Sequence, residues 1–345
     1  MQISLPDPSG LSLESLATFL RVRQPGLLVD PLRAELIAGG KSNLTFLVTD
    51  GAGSQIVLRR PPLVHVLASA HDMRREAAVL NALHDTMIPV PELIELCEDV
   101  SVIGAPFYLM HYVPGVAFRR AEQLAALGAP RTKLVCERMI DMLVSLHSLE
   151  PAEVGLSDFG RPAGFLVRQV ARWKAQMDAS YSRELPGADE LYKRLASSIP
   201  KESRASIVHG DYRLDNLLFD ENHSIMAVLD WEMATLGEPL TDLALLVAYS
   251  KLTGELNTDP ASQNAAFAPG YPSVEEILER YSLQTGTELP LMGFHLGLAY
   301  FKLATIIEGV YYRSLQTGSA FGCEDLNMRI RPLIAAGLTA LKEKI

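Results

Sequence analysis

The chain has 345 residues, of which 48% are hydrophobic and 21% charged, and its formal net charge is −10. That length exceeds one ordinary compact core and the composition is too apolar for a disordered chain, so a folded protein of two parts is expected. The acidic balance excludes a general nucleic-acid or anionic-lipid binder, because the field of the whole molecule repels phosphate groups.

Cys97, Cys136 and Cys323 stand far apart without a CxxC spacing, which indicates neither a disulfide framework nor structural zinc and suits a reducing compartment. The first residues carry no basic segment leading into an apolar core, and the most apolar stretch, residues 291–310, is interrupted by His295, Lys302 and Glu308. A cytoplasmic protein is therefore expected, with 291–310 a buried helix rather than a membrane span.

In chain order, Leu13, Leu16 and Leu20 follow helical spacing behind Ser12, a candidate N-cap, until Pro25-Gly26 breaks the pattern. From Glu35 to Arg59 the sequence turns β-rich, with strands over 44–49 and 55–59 flanking a turn at Asp50-Gly51-Ala52-Gly53, which predicts an antiparallel pair. Pro61-Pro62 ends that run, a helix follows over Met73–His84, and strands are predicted near Leu93–Cys97 and Phe107–Met110. Beyond Val113-Pro114-Gly115, residues 131–318 read as helix except for 207–230. In the helix over 131–149, Cys136, Ile140, Leu143 and His147 share one face and predict core packing. Residues 253–272, rich in Asn, Ala, Pro and Gly, read as a surface excursion. The predicted fold class is α+β: a β-rich part over 1–113 and a larger, mainly helical part over 114–345.

The chemistry lies in Ile207-Val-His209-Gly210-Asp211-Tyr-Arg-Leu-Asp-Asn216-Leu-Leu-Phe219, followed by Ala227-Val-Leu-Asp230-Trp231-Glu232. Asp and Asn often do no more than cap turns. Here three such side chains fall together between short apolar segments. Phosphoryl transfer asks the protein for in-line positioning, for ligands to a phosphate-neutralising Mg²⁺ and for an acceptor of the hydroxyl proton, and Asp211, Asn216 and Asp230 supply those groups. Glu232, two residues beyond Asp230, reaches the same face if that segment is a strand. Asp242 reads as a helix-opening carboxylate that buttresses the loop, and Tyr212 and Trp231 as packing groups.

The pattern His209-Gly-Asp211-x-x-x-x-Asn216 with the later Asp230 resembles the catalytic and metal loops of the aminoglycoside phosphotransferase and choline kinase group. The resemblance implies a bilobal protein-kinase-like fold, with a small β-rich N-lobe and a larger helical C-lobe. It implies Asp211 as catalytic base, Asn216 and Asp230 as magnesium ligands, and ATP or GTP with Mg²⁺ as cofactors. Gly39-Gly40-Lys41-Ser42-Asn43 is similar to the family's phosphate loop, giving Gly40, Ser42 and Asn43 as nucleotide-binding candidates; by itself it reads more readily as a hairpin or other turn. Ile56-Val57-Leu58-Arg59 matches the strand that ends in a phosphate-binding lysine, with Glu76 on the next helix as its ion-pair partner. Arg replaces Lys here. Strand alternation selects Arg59 over Arg60 for the role, with a surface ion pair as the alternative reading of Arg59 and Glu76. Leu109-Met110-His111-Tyr112-Val113-Pro114-Gly115 resembles the purine-binding hinge, giving Met110, His111 and Val113, through backbone groups rather than the His111 side chain.

Longer stretches, Val57-Leu-Arg-Arg-Pro-Pro62, Leu229-Asp-Trp-Glu-Met-Ala-Thr-Leu-Gly237-Glu-Pro-Leu-Thr-Asp242 and Ile307-Glu-Gly-Val-Tyr-Tyr-Arg313, look most like the kinase domains associated with acyl-CoA dehydrogenases. That likeness implies a small-molecule hydroxyl acceptor of the hydroxyacyl-CoA or hydroxy-acid type and a link to acyl-CoA metabolism. An aminoglycoside or other antibiotic kinase is an alternative, since an acidic chain suits a cationic acceptor, and a non-catalytic nucleotide-binding module is another. Arg161, Arg168, Arg172 and Lys174 read either as a basic patch for an anionic acceptor or as a solvated helix face.

Overall fold

The chain, in a computed structural model that describes residues 10–39, 43–62, 72–180, 183–251, 265–289, 292–317 and 323–342, divides into two compact units. One comprises Met1–Gly115 with Met226–Glu232, the other Val116–Ile225 with Met233–Ile345. Within the first, α1 (Leu13–Arg23) starts where the Ser12 hydroxyl accepts the Ser15 amide. It is followed by β1 (Arg33–Gly39), β2 (Leu44–Thr49), β3 (Gln55–Arg60), α2 (Met73–Leu83), β4 (Leu93–Cys97) and β5 (Phe107–His111). The strands form one antiparallel sheet in the order β1-β2-β3-β5-β4.

Alternation along the strands sorts the side chains by face. Phe46, Val48, Ile56, Leu58, Phe107 and Leu109 pack with Leu16 and Leu20 of α1, each such buried side chain contributing about 1.5–3 kcal/mol. The predicted β2–β3 hairpin is present. Its turn is fixed by Asp50, whose Oδ1 accepts the amides of Ala52 and Ser54 at 2.8 and 2.7 Å, and Gly53 takes a φ of +92°. The sheet joins that pair to the two further predicted strands, β5 and β4, and β1 adds an edge beyond them. Leu36 and Ile37 of that edge strand are 52% and 44% exposed, so no buried alternation marks it.

The second unit contains α3 (Ala121–Ala125), α4 (Ala129–Ser148), α5 (Phe165–Ala179), α6 (Ala188–Ser197), β6 (Ser206–Val208) and β7 (Leu217–Phe219). After β8 (Ile225–Val228) come β9 (Thr235–Gly237), α7 (Leu240–Lys251), α8 (Val274–Thr285), α9 (Met292–Thr317) and α10 (Cys323–Ala340). The stretch predicted to be non-helical over 207–230 extends to Gly237, because β9 pairs antiparallel with β6 and anchors the segment that leads into Asp211. The α4 face predicted to be core is buried throughout, His147 included. Residues 292–310 of the predicted buried helix fall in α9, which packs against α5, α6, α7 and α10. No helix among the described residues is long and apolar enough to cross a membrane. Residues 253–264 of the predicted excursion, and the candidate phosphate-loop residues Gly40 and Ser42, lie outside the described residues.

The sequence reading assigned everything beyond residue 113 to one helical part, whereas Met226–Glu232 groups with the first unit. The Val228 amide donates to the Pro89 carbonyl at 2.8 Å, joining this returning segment to the residues before β4.

Candidate active site

On the sheet face opposite α1, the first unit gathers a charged cluster. Arg59 Nε lies 2.9 Å from Glu76 Oε2, and its Nη2 lies 2.5 Å from Asp230 Oδ1 and 3.6 Å from Glu232 Oε2. Glu76, only 2% exposed at its side chain, also accepts from the Asn43 amide nitrogen at 2.8 Å and from the Tyr108 hydroxyl at 3.0 Å. This is a buried, hydrogen-bonded network rather than a surface pair. Burial pushes the Glu76 carboxyl above the ordinary glutamate range even with Arg59 pulling the other way. For Arg59 burial works against the charge, but Glu76 and the neighbouring acids outweigh it and hold the guanidinium firmly protonated.

Alternation decides between the two arginines. Arg60 points to the α1 side, fully buried, with its guanidinium over the Phe46 ring and donating to the Gly10 carbonyl at 2.7 Å. Asp230 follows β8 with a φ of +66°, in the left-handed region that Asp tolerates better than most residues. Glu232 lies in a 3₁₀ turn over Trp231–Met233, so the period-two argument that placed it beside Asp230 does not apply. Its carboxylate nevertheless accepts from the Asn43 side-chain amide at 3.2 Å. Met110 pairs with Val57 and Leu93 inside the sheet, and the His111 amide donates to the Glu92 carbonyl at 2.9 Å. The exposed His111 ring sits 3.9 Å from the Glu92 carboxylate, and Val113 continues past the end of β5.

In the second unit the loop after β6 is held from several directions. Asp242, near the start of α7, accepts the amide of His209 at 2.7 Å and that of Gly210 at 2.8 Å, as expected for a buttress. Behind it His147 Nε2 lies 3.3 Å from Asp242 Oδ2, and His147 Nδ1 is 2.8 Å from the Tyr281 hydroxyl. Burial alone would raise the Asp242 carboxyl; the contact with His147, the nearby His209 and the Gly210 amide reverse this and hold it below the usual range. Lys302 of α9 donates to the Gly210 carbonyl. Burial lowers its ammonium, against the attraction of Asp211 and Asp242. Gly210 has a φ of +83°, and a Cβ there would lie 2.6 Å from the Met233 carbonyl oxygen, so glycine is required twice over.

The spacing from Asp211 to Asn216 closes a tight loop through a 3₁₀ turn over Leu214–Asn216. The Asn216 amide nitrogen donates to the Asp211 carbonyl at 2.9 Å and lies 3.4 Å from Asp211 Oδ2. The Tyr249 hydroxyl donates to Asp211 Oδ1 at 2.6 Å. Tyr212 and Trp231 are buried as predicted, the Tyr212 hydroxyl donating to the Met139 carbonyl. Arg213 pairs with Asp215 at 2.5 Å and stacks on Tyr249. Of the four candidate basic residues, Lys174 pairs with Asp178 and Asp189 and Arg168 donates to the carbonyls of Arg161 and Ala163. Arg172 forms no ion pair with a described carboxylate and lies over the Trp173 ring at 5.3 Å, a ring that Lys302 also approaches at 5.4 Å.

The sequence reading did not single out Tyr249, Lys302 or the His147–Tyr281 support. Lys302 was visible as a charge interrupting an apolar helix. Tyr249 carried no signal, being one aromatic residue in an apolar helix 38 residues from its partner.

The phosphotransferase enzyme family's sequence profile matches residues 33–277. The chain belongs to that family. It is 37% identical over 340 residues to acyl-CoA dehydrogenase family member 11 of Gallus gallus, a match covering 95% of this chain and 43% of that protein. The chain thus spans less than half the length of the curated relatives it matches first. A putative aminoglycoside phosphotransferase from Ralstonia eutropha is 30% identical, superposes with a TM-score of 0.80, and is matched over 96% of this chain and 98% of that one. Aminoglycoside phosphotransferase APH(4)-Ia, solved as a ternary complex with AMP-PNP and hygromycin B, is 16% identical with a TM-score of 0.59 and shares the fold over 94% of this chain and 98% of its own. The β-sheet unit and helical unit are those of the kinase-like phosphotransferase fold.

Proposed function

We propose that the chain is a nucleotide- and Mg²⁺-dependent O-phosphotransferase, using ATP or GTP, that phosphorylates a hydroxyl of a hydroxyacyl-CoA or related hydroxy acid. The observation that carries the reading is the state of Asp211: a carboxylate on a loop fixed by Asp242, Lys302 and Asn216, oriented without being neutralised by a direct ion pair among the described residues. Asp211 accepts the proton of the acceptor hydroxyl. Arg59, held by Glu76, contacts the nucleotide phosphates in place of lysine, and a guanidinium grips phosphate oxygens two at a time. Asn43 orders the same carboxylates, and backbone groups at Met110, His111 and Val113, other than the His111 amide that donates to Glu92, receive the base.

Asn216 and Asp230 would hold magnesium. Their carboxamide and carboxylate are the hard oxygen donors that ion takes, and Asp230, 31% exposed at its side chain, is accessible to exchange Arg59 for a cation. Bound Mg²⁺ would supply neutralisation of the phosphate charge beyond what Arg59 provides.

The hydroxyacyl-CoA class is supported by the relatives' names and by Arg172 and Lys302 about Trp173, which suit an anionic acceptor better than a polycationic antibiotic. The deciding experiment offers the purified protein ATP and GTP in parallel with hydroxyacyl-CoA thioesters, aminoglycosides and macrolides. Mg²⁺-dependent transfer to a thioester, lost in Asp230→Ala, is expected. Transfer only to an antibiotic overturns the acceptor, and no nucleotide turnover with any acceptor favours a non-catalytic module.

A further inference from the structure

We infer that Tyr249 is a positioning residue for Asp211, occupying one carboxylate oxygen so that the other meets the acceptor hydroxyl; this rests on the proposed role of Asp211 as base. Tyr249 lies in the last turn of α7. Its hydroxyl donates to Oδ1 at 2.6 Å, while the nearest donor to Oδ2, the Asn216 amide, is 3.4 Å away and donates to the Asp211 carbonyl at 2.9 Å. The two oxygens are therefore unequal: Oδ1 sits in a short charge-assisted bond, and Oδ2 keeps acceptor capacity.

The phenol is itself fixed. The Arg213 guanidinium lies 4.5 Å from the centre of its ring, and Asp215 holds Arg213 at 2.5 Å. Burial, together with the nearby Asp211, pushes the Tyr249 hydroxyl well above the usual tyrosine range, so it stays a donor at neutral pH. A carboxylate pinned at one oxygen cannot spin about its terminal bond. In the transfer step the acceptor oxygen forms a bond to the γ-phosphorus with the electron pair released as its proton passes to Oδ2. The bond from phosphorus to the nucleotide breaks, and the departing diphosphate keeps that pair. The base must meet the hydroxyl as the new bond forms, and misplacement by about 1 Å costs on the order of a hundredfold.

Tyr249→Phe keeps the ring on Arg213 and removes the hydroxyl, which donates to Asp211 and also bonds the Arg213 side chain. Two measurements test the inference: release of phosphate from Mg·ATP and Mg·GTP with water as acceptor, and urea unfolding. Both are read on wild type, Tyr249→Phe, Asp211→Ala and the double variant. The expected result is a fall in kcat of about ten- to a hundredfold in Tyr249→Phe with the KM for nucleotide unchanged. In unfolding, the loss caused by Tyr249→Phe should shrink or vanish in the Asp211→Ala background. Tyr249→Phe turnover equal to wild type, with Asp211→Ala inactive, overturns this inference alone. So does a Tyr249→Phe loss of stability that is fully retained without the Asp211 side chain. Wild-type turnover in Asp211→Ala instead refutes the base assignment.

Discussion

Replacing Arg59 by Met tests the charged cluster of the first unit. The substitution leaves the Glu76 carboxylate, 2% exposed, with donors from Asn43 and Tyr108 but no cation, and with Asp230 and Glu232 no longer screened by the guanidinium. Stripping one partner from a buried ion pair costs about 3–5 kcal/mol when the remaining charge has no escape. Glu76 does have one, because it takes up a proton. From an ordinary value of 4.5, protonation costs about 1.4 kcal/mol for every pH unit above it, which caps this part of the loss at about 3 kcal/mol at pH 7. The sign follows from linkage: a carboxyl whose folded pKa is raised binds more protons folded than unfolded, so folding loses stability as pH rises above 4.5. Urea unfolding at pH 5.5 and 7.5, followed by circular dichroism, should show a destabilisation by Arg59→Met that is smaller at the lower pH, and Arg59→Met with Glu76→Gln should remove the difference. A loss of the same size at both pH values would refute the reasoning.

Two further perturbations bear on the helical unit. His295 is 3% exposed, its Nδ1 has no hydrogen-bond partner among the described residues, and burial lowers its pKa to about 4. The unfolded chain therefore takes a proton that the folded one refuses, and stability should fall by about 2 kcal/mol between pH 7 and pH 5; urea unfolding should show this component missing in His295→Leu, and an undiminished pH dependence in that variant would assign it elsewhere. Gly210→Ala places a Cβ 2.6 Å from the Met233 carbonyl at a φ of +83°, whereas Gly155→Ala, at a φ of +76°, meets nothing within 4 Å. Both should pay the left-handed cost of about 1–2 kcal/mol, and thermal melts and phosphate-transfer assays should show a larger stability loss, with loss of turnover, for Gly210→Ala alone.

What could be read from the sequence follows the range of the interactions. The β2–β3 hairpin, α2 and α4 were legible because turn chemistry and apolar periodicity are local, and the same alternation told Arg59 from Arg60. The Asp211–Asn216 loop was legible because both ends lie within one short segment. Asp242 reads as a buttress from its place near the start of a helix, and its two amide contacts fit that reading. Glu232 was placed by strand geometry that a 3₁₀ turn replaces, so its contact with Asn43 arises for another reason. Tyr249, Lys302 and His147 escaped as functional supports because each looks like core from its own helix. Only tertiary packing brings them to Asp211, Gly210 and Asp242.

The central claim is that Asp211 takes the proton of the acceptor hydroxyl, and Asp211→Ala measures it directly. Phosphate transfer from Mg·ATP or Mg·GTP and nucleotide affinity should be determined on the same preparation. The expected result is nucleotide affinity within a few-fold of wild type and transfer reduced by about a hundred- to ten-thousandfold. Full transfer by Asp211→Ala would contradict the account.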